Sequence, residues 1–260
     1  MNRKELAQGI VNYLEFYREM GISDLRADKS KAAFEPAPRT PRLSNPVARP
    51  PGADSQTRPV LFEPAATLFD EKRTVDETLD QVRSDLGDCR RCKLAAGRKH
   101  IVFGSGSPAA DLMFVGEAPG AEEDEQGLPF VGRAGQLLTR IIEAIGMQRD
   151  DVYICNILKC RPPGNRNPES DEITACEPFL LRQIAAVKPE VVCALGAIGA
   201  QALLRTKEQI SRLRGQLIEY RGIKLMATYH PAYLLRNPGA KRKVWEDVQK
   251  VRDYLRSLRR

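Results

Sequence analysis

The sequence lacks the features of a membrane-spanning or secreted protein. No run of apolar residues approaches the roughly 20 that a transmembrane helix needs, and no charged-then-apolar leader opens the chain. We therefore expect a cytoplasmic protein with no membrane partner. Reducing conditions there also disfavour disulfide bonds among its six cysteines.

Histidine is also scarce, with two residues in a chain of 260. His100 lies in a basic loop beside Arg98 and Lys99, where nothing indicates a site. His230 follows an apolar run and precedes Pro231. His230 is therefore the histidine that we expect in a functional site.

Four of the cysteines form a spaced set: Cys89, Cys92, Cys160 and Cys176. Zinc ribbons and fingers usually bring two local pairs, whereas here the chain must fold before the two distant thiols can reach the close pair. Iron–sulfur clusters can draw four thiolates from distant segments. The pattern favours a [4Fe–4S] cluster, with structural zinc as the alternative and four unrelated thiols as the third interpretation.

The N-terminal part of the chain differs in composition from the rest. Apolar residues recur at helical spacing between residues 3 and 20, which predicts an amphipathic helix within a segment 1–22. Residues 23–73 are rich in proline and predict a flexible, disordered linker. Its apolar clusters at 60–62 and 68–69 either anchor a replication or repair protein or pack on the chain's own domain. A folded domain is expected at 74–260.

From about Thr74 onward, strand, loop and helix patterns alternate, which is typical of an α/β fold. We predict a three-layer α/β/α sandwich around a mostly parallel, four-stranded sheet. The predicted strands are apolar runs, as expected for strands buried on both faces, at 112–115, 152–157, 191–195 and 224–228. The predicted helices span 134–145, 168–187, 197–204 and 241–258. Cys155 and Cys193 lie in two of these strands, and we assign them to the core.

Turn-forming and polar residues follow each predicted strand, where open α/β sheets bind their ligands. They are the segment 116–120 with the acidic triplet 122–124, then Asn156, Gly196 and His230. Taken singly, glycine and proline make turns, and an acidic triplet is commonly solvated. Because parallel strands end at one edge of a sheet, we expect these residues to converge on one crevice.

Four segments resemble the motifs of the family 4 (iron–sulfur) uracil-DNA glycosylases. They are residues 116–124 (GEAPGAEED), 129–132 (PFVG), 156–163 (NILKCRPP) and 230–235 (HPAYLL), and the cysteine spacing fits as well. The resemblance covers about residues 85–257. It implies an enzyme that hydrolyses the bond between uracil and deoxyribose in single- or double-stranded DNA, leaving an abasic site to start base excision repair.

The chemistry of these residues agrees with the resemblance. A stacked base must be swung out into a pocket that recognises its edges. Phe130 resembles the ring on which the family stacks uracil, and the Asn156 amide matches uracil O4 and N3–H, whereas cytosine presents the opposite pair. The structural alternatives are a core phenylalanine and a buried structural amide. The remaining predicted uracil-binding residues are Glu117, Ala118, Glu123 and His230.

Three residues are predicted to be catalytic: Glu117, His230 and Glu123. Cleavage builds negative charge on the departing uracil, so His230 is expected to donate to uracil O2, with help from backbone N–H groups of the 117–119 turn. Glu117 is expected to orient water or stabilise the sugar cation. Ala118 stands where distantly related glycosylases place a water-activating aspartate. Glu123 is a competing carboxylate that, by family resemblance, instead blocks the thymine methyl group.

The predicted DNA contacts are basic runs and an insertion loop. The formal net charge of +7 suits a phosphate backbone, and basic residues cluster at 90–93, 159–161, 241–243 and 256–260. Because hydrolysis moves no electrons, the cluster is expected to hold its loops against DNA. Residues 230–236 resemble the element that enters the duplex where the base left, with Tyr233, Leu234 and Leu235 as wedges. The alternative is a short helix packed on the core.

Two other functions compete with this interpretation. A related protein type traps uracil covalently through an extra histidine in a basic insert, but residues 163–168 (PGNRNP) contain neither. A non-catalytic iron–sulfur module for DNA binding or electron transfer would release no base. The presence of Phe130, Asn156 and His230 argues against that module. One short amphipathic helix gives little reason for assembly, so we expect a monomer.

Overall fold

The computed structural model describes residues 77–259. The predicted helix at 1–22, the linker at 23–73 and the two apolar clusters in that linker lie outside these residues. Within the described part of the chain, no helix has both the length and the apolar character that crossing a bilayer requires.

A single sheet of six strands forms the centre of the fold. The strands are β1 (Ser105–Gly106), β2 (Leu112–Gly116), β3 (Tyr153–Asn156), β4 (Val191–Leu195), β5 (Leu217–Tyr220) and β6 (Ile223–Thr228). Their spatial order is β1, β3, β2, β4, β6, β5. The four inner strands run parallel, whereas β1 and β5 pair antiparallel at the two edges.

The inner strands are those that the apolar runs predict. Every residue of β2, β3 and β4 is buried, as expected for strands covered on both faces. The edge strands were not predicted, because β1 has two residues and β5 is only partly buried. The predicted α/β class is confirmed, with a sheet that is wider by these two edge strands.

Eight α-helices lie among the described residues. They are α1 (Leu79–Leu86), α2 (Ala121–Gln126), α3 (Arg133–Ala144), α4 (Ser170–Val187), α5 (Ala197–Leu204), α6 (Ile210–Leu213), α7 (Pro231–Arg236) and α8 (Lys241–Leu258). The four predicted helices correspond to α3, α4, α5 and α8. In α3, apolar residues at helical spacing face the sheet, including Leu138, Ile141 and Ile142.

Alternate residues of each inner strand pack into opposite layers. In β2, Leu112 and Phe114 join a cluster with side chains of α3 and α8, whereas Met113 and Val115 join a cluster with side chains of α4 and α5. This alternation is the period of two that places successive side chains on opposite faces. It confirms the three-layer arrangement. The predicted core residues Cys155 and Cys193 are fully buried, one in each cluster.

The carboxyl ends of the inner strands meet at one edge of the sheet. Gly116 of β2 lies opposite Asn156 of β3, and Leu195 of β4 lies opposite Thr228 of β6. The N–H of Ile157 donates to the carbonyl oxygen of Gly116 at 3.0 Å, which continues the pairing past the strand end. The strand-end residues predicted to converge are therefore neighbours.

Candidate active site and cysteine cavity

Gly116 makes room for two predicted site residues. A Cβ at this position would lie 2.3 Å from Oδ1 of Asn156 and 2.6 Å from Cζ of Phe130. Both distances are shorter than a carbon atom tolerates, so a larger residue at 116 would displace both side chains. Asn156 and Phe130 therefore meet at the end of β2 because residue 116 has no side chain.

Asn156 presents an unpaired polar atom inside the protein. The residue is 1% exposed. Its Oδ1 is, among residues 77–259, the one buried side-chain oxygen or nitrogen without a hydrogen-bond partner. Leaving such a group unpaired costs about 1–3 kcal/mol. A bound ligand that donates to this amide would supply the missing partner.

Phe130 is held in an uncommon backbone conformation. Its φ is 52°, in the left-handed region that residues other than glycine rarely adopt. Gly135 of α3 allows the close approach, since a Cβ there would lie 1.9 Å from the Phe130 carbonyl oxygen. The Arg149 guanidinium donates to the carbonyl oxygen of Pro129 and, at 3.2 Å, to Oγ1 of Thr139. These contacts fix the loop that carries the ring.

The Glu123 carboxylate ties the two loops of the site together. Its Oε2 accepts from the N–H of Gly120 at 3.1 Å. Its Oε1 accepts from the N–H groups of Val131 at 2.9 Å and Gly132 at 3.0 Å. One oxygen is thus engaged with the turn after β2, and the other with the two residues that follow Phe130. A methyl-blocking role for Glu123 stays a prediction. The sequence did not indicate that this carboxylate accepts hydrogen bonds from the backbone of both loops.

Glu117 and Ala118 lie in the turn after β2. Burial raises the pKa of the Glu117 carboxyl above its ordinary value, and none of the described residues donates to that carboxylate. The Glu117 carbonyl oxygen accepts from the N–H of Leu158 at 3.0 Å, which fixes the turn against the end of β3. The N–H of Ala118 donates to no residue within 77–259. The turn therefore offers a carboxylate and a backbone donor to a ligand.

His230 caps the N-terminus of α7, and this contact defines its tautomer. The N–H of Ala232 donates to Nδ1 of His230 at 3.1 Å, so Nε2 carries the proton of the neutral ring. Burial lowers the pKa of His230 to about 4, against an opposing effect of Glu123. The ring centroids of His230 and Phe130 are 5.6 Å apart. His230 therefore supplies a neutral N–H donor beside the predicted stacking ring.

The predicted wedge forms helix α7, and its residues differ in exposure. Tyr233 is 39% exposed and Leu235 is 40% exposed. Tyr233 stacks on Tyr229, with ring centroids 5.1 Å apart. Leu234 is 1% exposed and packs in the cluster with α3 and α8, because α7 packs against α3. Leu234 is a core residue here, and the wedge prediction narrows to Tyr233 and Leu235.

The four predicted metal ligands line one cavity: Cys89, Cys92, Cys160 and Cys176. The first two come from the loop after α1, the third from the loop after β3, and the fourth from α4. All four are free thiols. Over residues 77–259, no three His, Cys, Asp or Glu side chains converge tightly enough to hold a single metal ion.

Hydrogen-bond donors face three of the four sulfur atoms. The pairs are Arg91 with Cys89 Sγ (3.4 Å), Arg98 with Cys160 Sγ (3.5 Å) and the Lys159 backbone N–H with Cys176 Sγ (3.3 Å). Donors of this kind stabilise thiolates and tune the clusters that thiolates bind. Burial raises the pKa of the Cys160 and Cys176 thiols, and these donors oppose that effect, as expected where sulfur atoms hold a group as thiolates.

Ion pairs join the segments that carry the cysteines. Lys93, from the first segment, pairs with Glu169 beside the N-terminus of α4. Arg166, from the loop after β3, donates to the buried carboxylate of Glu172 at 2.9 and 2.5 Å. Arg166 also holds the pKa of the Glu172 carboxyl below its ordinary value. Since α4 carries the fourth cysteine, these pairs fasten all three segments to one another.

One basic residue predicted to face DNA is inside the protein. Lys159 is 1% exposed, and its amino group donates to the carbonyl oxygen of Asn156 at 2.7 Å and to Oε1 of Gln183 at 2.5 Å. The predicted DNA contact by Lys159 is wrong, because the residue lies between the end of β3 and helix α4. Arg90, in the other basic run beside the cysteines, is exposed.

Sequence reasoning overlooked Gly135 and Arg149, which shape the Phe130 loop. A glycine within the apolar periodicity of α3 is a signal of close backbone approach, and Gly135 could have been found in this way. Arg149 gives no such signal, since it lies in a polar stretch and acts through contacts that only the fold creates.

Comparisons with known proteins show which family this chain resembles. Residues 103–249 match the sequence profile of the Uracil DNA glycosylase superfamily. A type-4 uracil-DNA glycosylase of Saccharolobus solfataricus is 44% identical over 190 residues, which is 70% of this chain and 88% of the relative. One of Thermotoga maritima is 43% identical over 187 residues, 70% of this chain and 97% of the relative. One of Archaeoglobus fulgidus is 40% identical over 183 residues, which is 67% of this chain and 92% of the relative. This chain therefore belongs to the uracil DNA glycosylase superfamily and, within it, to the type-4 family.

Proposed function

We propose that this protein is a uracil-DNA glycosylase, which hydrolyses the N-glycosidic bond of uracil in DNA and leaves an abasic site for base excision repair. One observation carries the proposal: the unpaired Oδ1 of buried Asn156 lies beside the ring of Phe130, over Gly116. A base edge and a base face can both be recognised there. The similarity to type-4 uracil-DNA glycosylases over most of their length supports the same activity.

The face of the uracil ring and its hydrogen-bonding edge are recognised by different residues. The base leaves the duplex stack and lies against Phe130, which any pyrimidine could do. The Asn156 amide then distinguishes uracil from cytosine, because its oxygen accepts from N3–H and its nitrogen donates to O4 of uracil. Cytosine carries an acceptor and a donor in the reverse places, so both contacts would become repulsive. Selection against cytosine therefore depends on Asn156.

Exclusion of thymine requires a side chain that occupies the space of its 5-methyl group. We assign this role to Glu123, whose carboxylate is held in place by hydrogen bonds from the backbone N–H groups of Gly120, Val131 and Gly132. A rigid group excludes an additional methyl group better than a mobile one. The same hydrogen bonds leave Glu123 poorly suited to activating water.

Departure of uracil is assisted by donors at O2. Nε2–H of His230 is directed by the Nδ1 contact with Ala232, and the ring is neutral near pH 7 because its pKa is about 4. The N–H of Ala118, which has no acceptor among residues 77–259, can add a second donor. Fixed donors of this type stabilise developing anionic charge without reorganising during the reaction.

Water activation falls to Glu117 among the two predicted carboxylates. Its carboxylate accepts no hydrogen bond from the described residues, unlike that of Glu123, and its raised pKa makes it a stronger base than an ordinary glutamate. A negative charge on Glu117 also stabilises the positive charge that develops on the sugar.

The cysteine cavity is proposed to hold a [4Fe–4S] cluster through Cys89, Cys92, Cys160 and Cys176. Support comes from the shared cavity and from the donors that face the sulfur atoms. When bound, the cluster crosslinks three chain segments through iron–thiolate bonds. Its role is architectural, since glycosidic hydrolysis transfers no electrons.

The proposal is tested with the full chain, iron-loaded, and an oligonucleotide that contains one uracil. Strand breakage after alkali is expected at uracil only, in single- or double-stranded DNA, with thymine and cytosine substrates intact. Asn156→Ala should reduce uracil release by about 100-fold or more, since the selecting contacts are lost, while DNA binding persists. Asn167→Ala, at an exposed asparagine, is the matched control.

Two results would contradict this proposal, the first its activity and the second the role of Asn156. Iron-loaded protein that binds DNA but releases no uracil would favour the non-catalytic module. Full activity in Asn156→Ala would place base recognition elsewhere.

A further inference from the structure

Lys159 is an unusual residue for its location. Lysine is almost never fully buried unless it is paired, yet Lys159 is 1% exposed. Its amino group has no carboxylate partner among the described residues and donates instead to two neutral oxygens, of Asn156 and Gln183. Such a costly arrangement calls for a reason beyond packing.

The amino group of Lys159 holds the backbone of the proposed base-recognition residue. It lies 2.7 Å from the carbonyl oxygen of Asn156. Its other acceptor, Gln183, is itself fixed by donating to the carbonyl oxygen of Phe103 at 2.9 Å and to the hydroxyl of Tyr153 at 3.2 Å. The Asn156 carbonyl is thereby connected to α4, to Phe103 and to the Tyr153 hydroxyl through one chain of hydrogen bonds.

Lys159 also belongs to the cysteine cavity. The residue lines that cavity, its backbone N–H donates to Sγ of Cys176 at 3.3 Å, and Cys160 is the next residue. The two sites lie on opposite faces of the sheet, since Phe130 packs in the cluster with α3, and Cys160 and Cys176 pack in the cluster with α4. Lys159 contacts both.

We infer that Lys159 is a positioning residue that holds the backbone of Asn156 in place and thereby couples the geometry of the cysteine cavity to base recognition. The inference rests on the proposed function, in which Asn156 recognises uracil. The orientation of the amide depends on where its backbone lies, and a displacement of about 1 Å can cost on the order of 100-fold in rate. Removing the amino group would release the Asn156 carbonyl without touching the base.

Lys159→Met tests the inference, because it keeps most of the aliphatic stem and removes the donor. We expect single-turnover uracil release, normalised to bound iron, to fall roughly 10- to 100-fold, as for other supporting hydrogen bonds around a site. Inhibition by free uracil should weaken by a similar factor. Iron content and affinity for DNA carrying a stable abasic analogue should match wild type, because neither depends on the position of the Asn156 amide.

Lys250→Met is the matched control. Lys250 also donates to a backbone carbonyl at 2.7 Å, that of Gly215, which is no part of the candidate site. Uracil release and uracil inhibition should be unchanged in this variant. Lys159→Gln retains a shorter donor and should recover part of the loss. If Lys159→Met fails to fold, uracil release by Lys159→Gln tests whether a donor at residue 159 positions Asn156.

Two outcomes would overturn the inference. One is a folded, iron-loaded Lys159→Met with wild-type release and wild-type inhibition by free uracil. The other is a loss of iron with unchanged activity per cluster, which would limit Lys159 to holding the cluster. Failure of the proposed function looks different, because wild-type protein itself would then release no uracil.

Discussion

At Gly116, a hydrogen atom in place of a methyl group decides whether Asn156 and Phe130 can share the end of the sheet. Gly116→Ala should lower uracil release by about 100-fold or more, since the added Cβ would lie 2.3 Å from the amide and 2.6 Å from the ring. Rates on a uracil oligonucleotide measure the effect. Gly239→Ala is the control, because a Cβ there meets no atom within 4 Å. Equal rates in both variants would show that residue 116 does not shape the base site.

The carboxyl of Glu117 should control the acid side of the pH profile. It must be ionised to act, and burial raises its pKa above the ordinary 4.5, so kcat should fall at a higher pH than an ordinary glutamate would give. His230 becomes protonated only near pH 4, which is below the pH at which Glu117 loses its charge. Glu117→Gln should reduce kcat by about 100-fold or more and flatten this acid-side fall.

Glu123→Gln serves as the comparison for Glu117→Gln. Glu123 accepts three backbone hydrogen bonds, and a glutamine amide would place a donor against one or more of those N–H groups. A loss of about 1–3 kcal/mol in the free energy of unfolding is expected, with the acid-side fall retained. An acid-side fall that disappears in this variant instead would reassign the base.

Individual residues were predictable to the extent that their chemistry is visible in sequence. The scarcity of histidine and the presence of an asparagine at the end of an apolar run pointed to His230 and Asn156. The partners of these side chains were not predictable. Whether Glu123 is free or held by backbone depends on how two loops approach each other, and neither loop has a periodic pattern.

Helix α7 illustrates an element whose residues serve two purposes. Tyr233 and Leu235 are exposed, and Leu234 anchors the helix in the core. Alanine at 233 or 235 should lower uracil release from duplex DNA by about 10-fold and leave release from single strands unchanged, because only a duplex has a gap to fill. Leu258→Ala is the control, at a leucine that is 48% exposed on α8. A comparable loss on both substrates would argue against insertion.

Elements with a strong pattern were predicted and elements without one were not. The inner strands are continuous or nearly continuous apolar runs, and α3 carries an apolar face, so both were found. β1 has two residues and β5 is partly exposed, so pairing with a neighbouring strand, and not composition, defines them. The loop at 230–236 became a helix with two buried residues, Pro231 and Leu234, because Pro231 starts it and α3 packs against it.

At the scale of the whole molecule, the proposed cluster should account for a large part of the stability. Cys176→Ser should lower iron content below the expected value of about four per chain and lower the melting temperature, because three segments lose their crosslink. Cys193→Ala is the control, at a buried cysteine outside the cavity, and should retain iron. Stoichiometric zinc in purified wild-type protein would instead support the zinc alternative.

β2 and β3 pair with Gly116 opposite Asn156, which makes base preference a property of strand register. A shift of β3 by one residue would turn Asn156 toward α4 and bring an apolar neighbour to the base site. An engineer who wishes to change the accepted base must therefore vary residues 116 and 156 as a pair. Any enlargement at 116 removes space that a replacement at 156 would need, so the most useful variants keep glycine at 116.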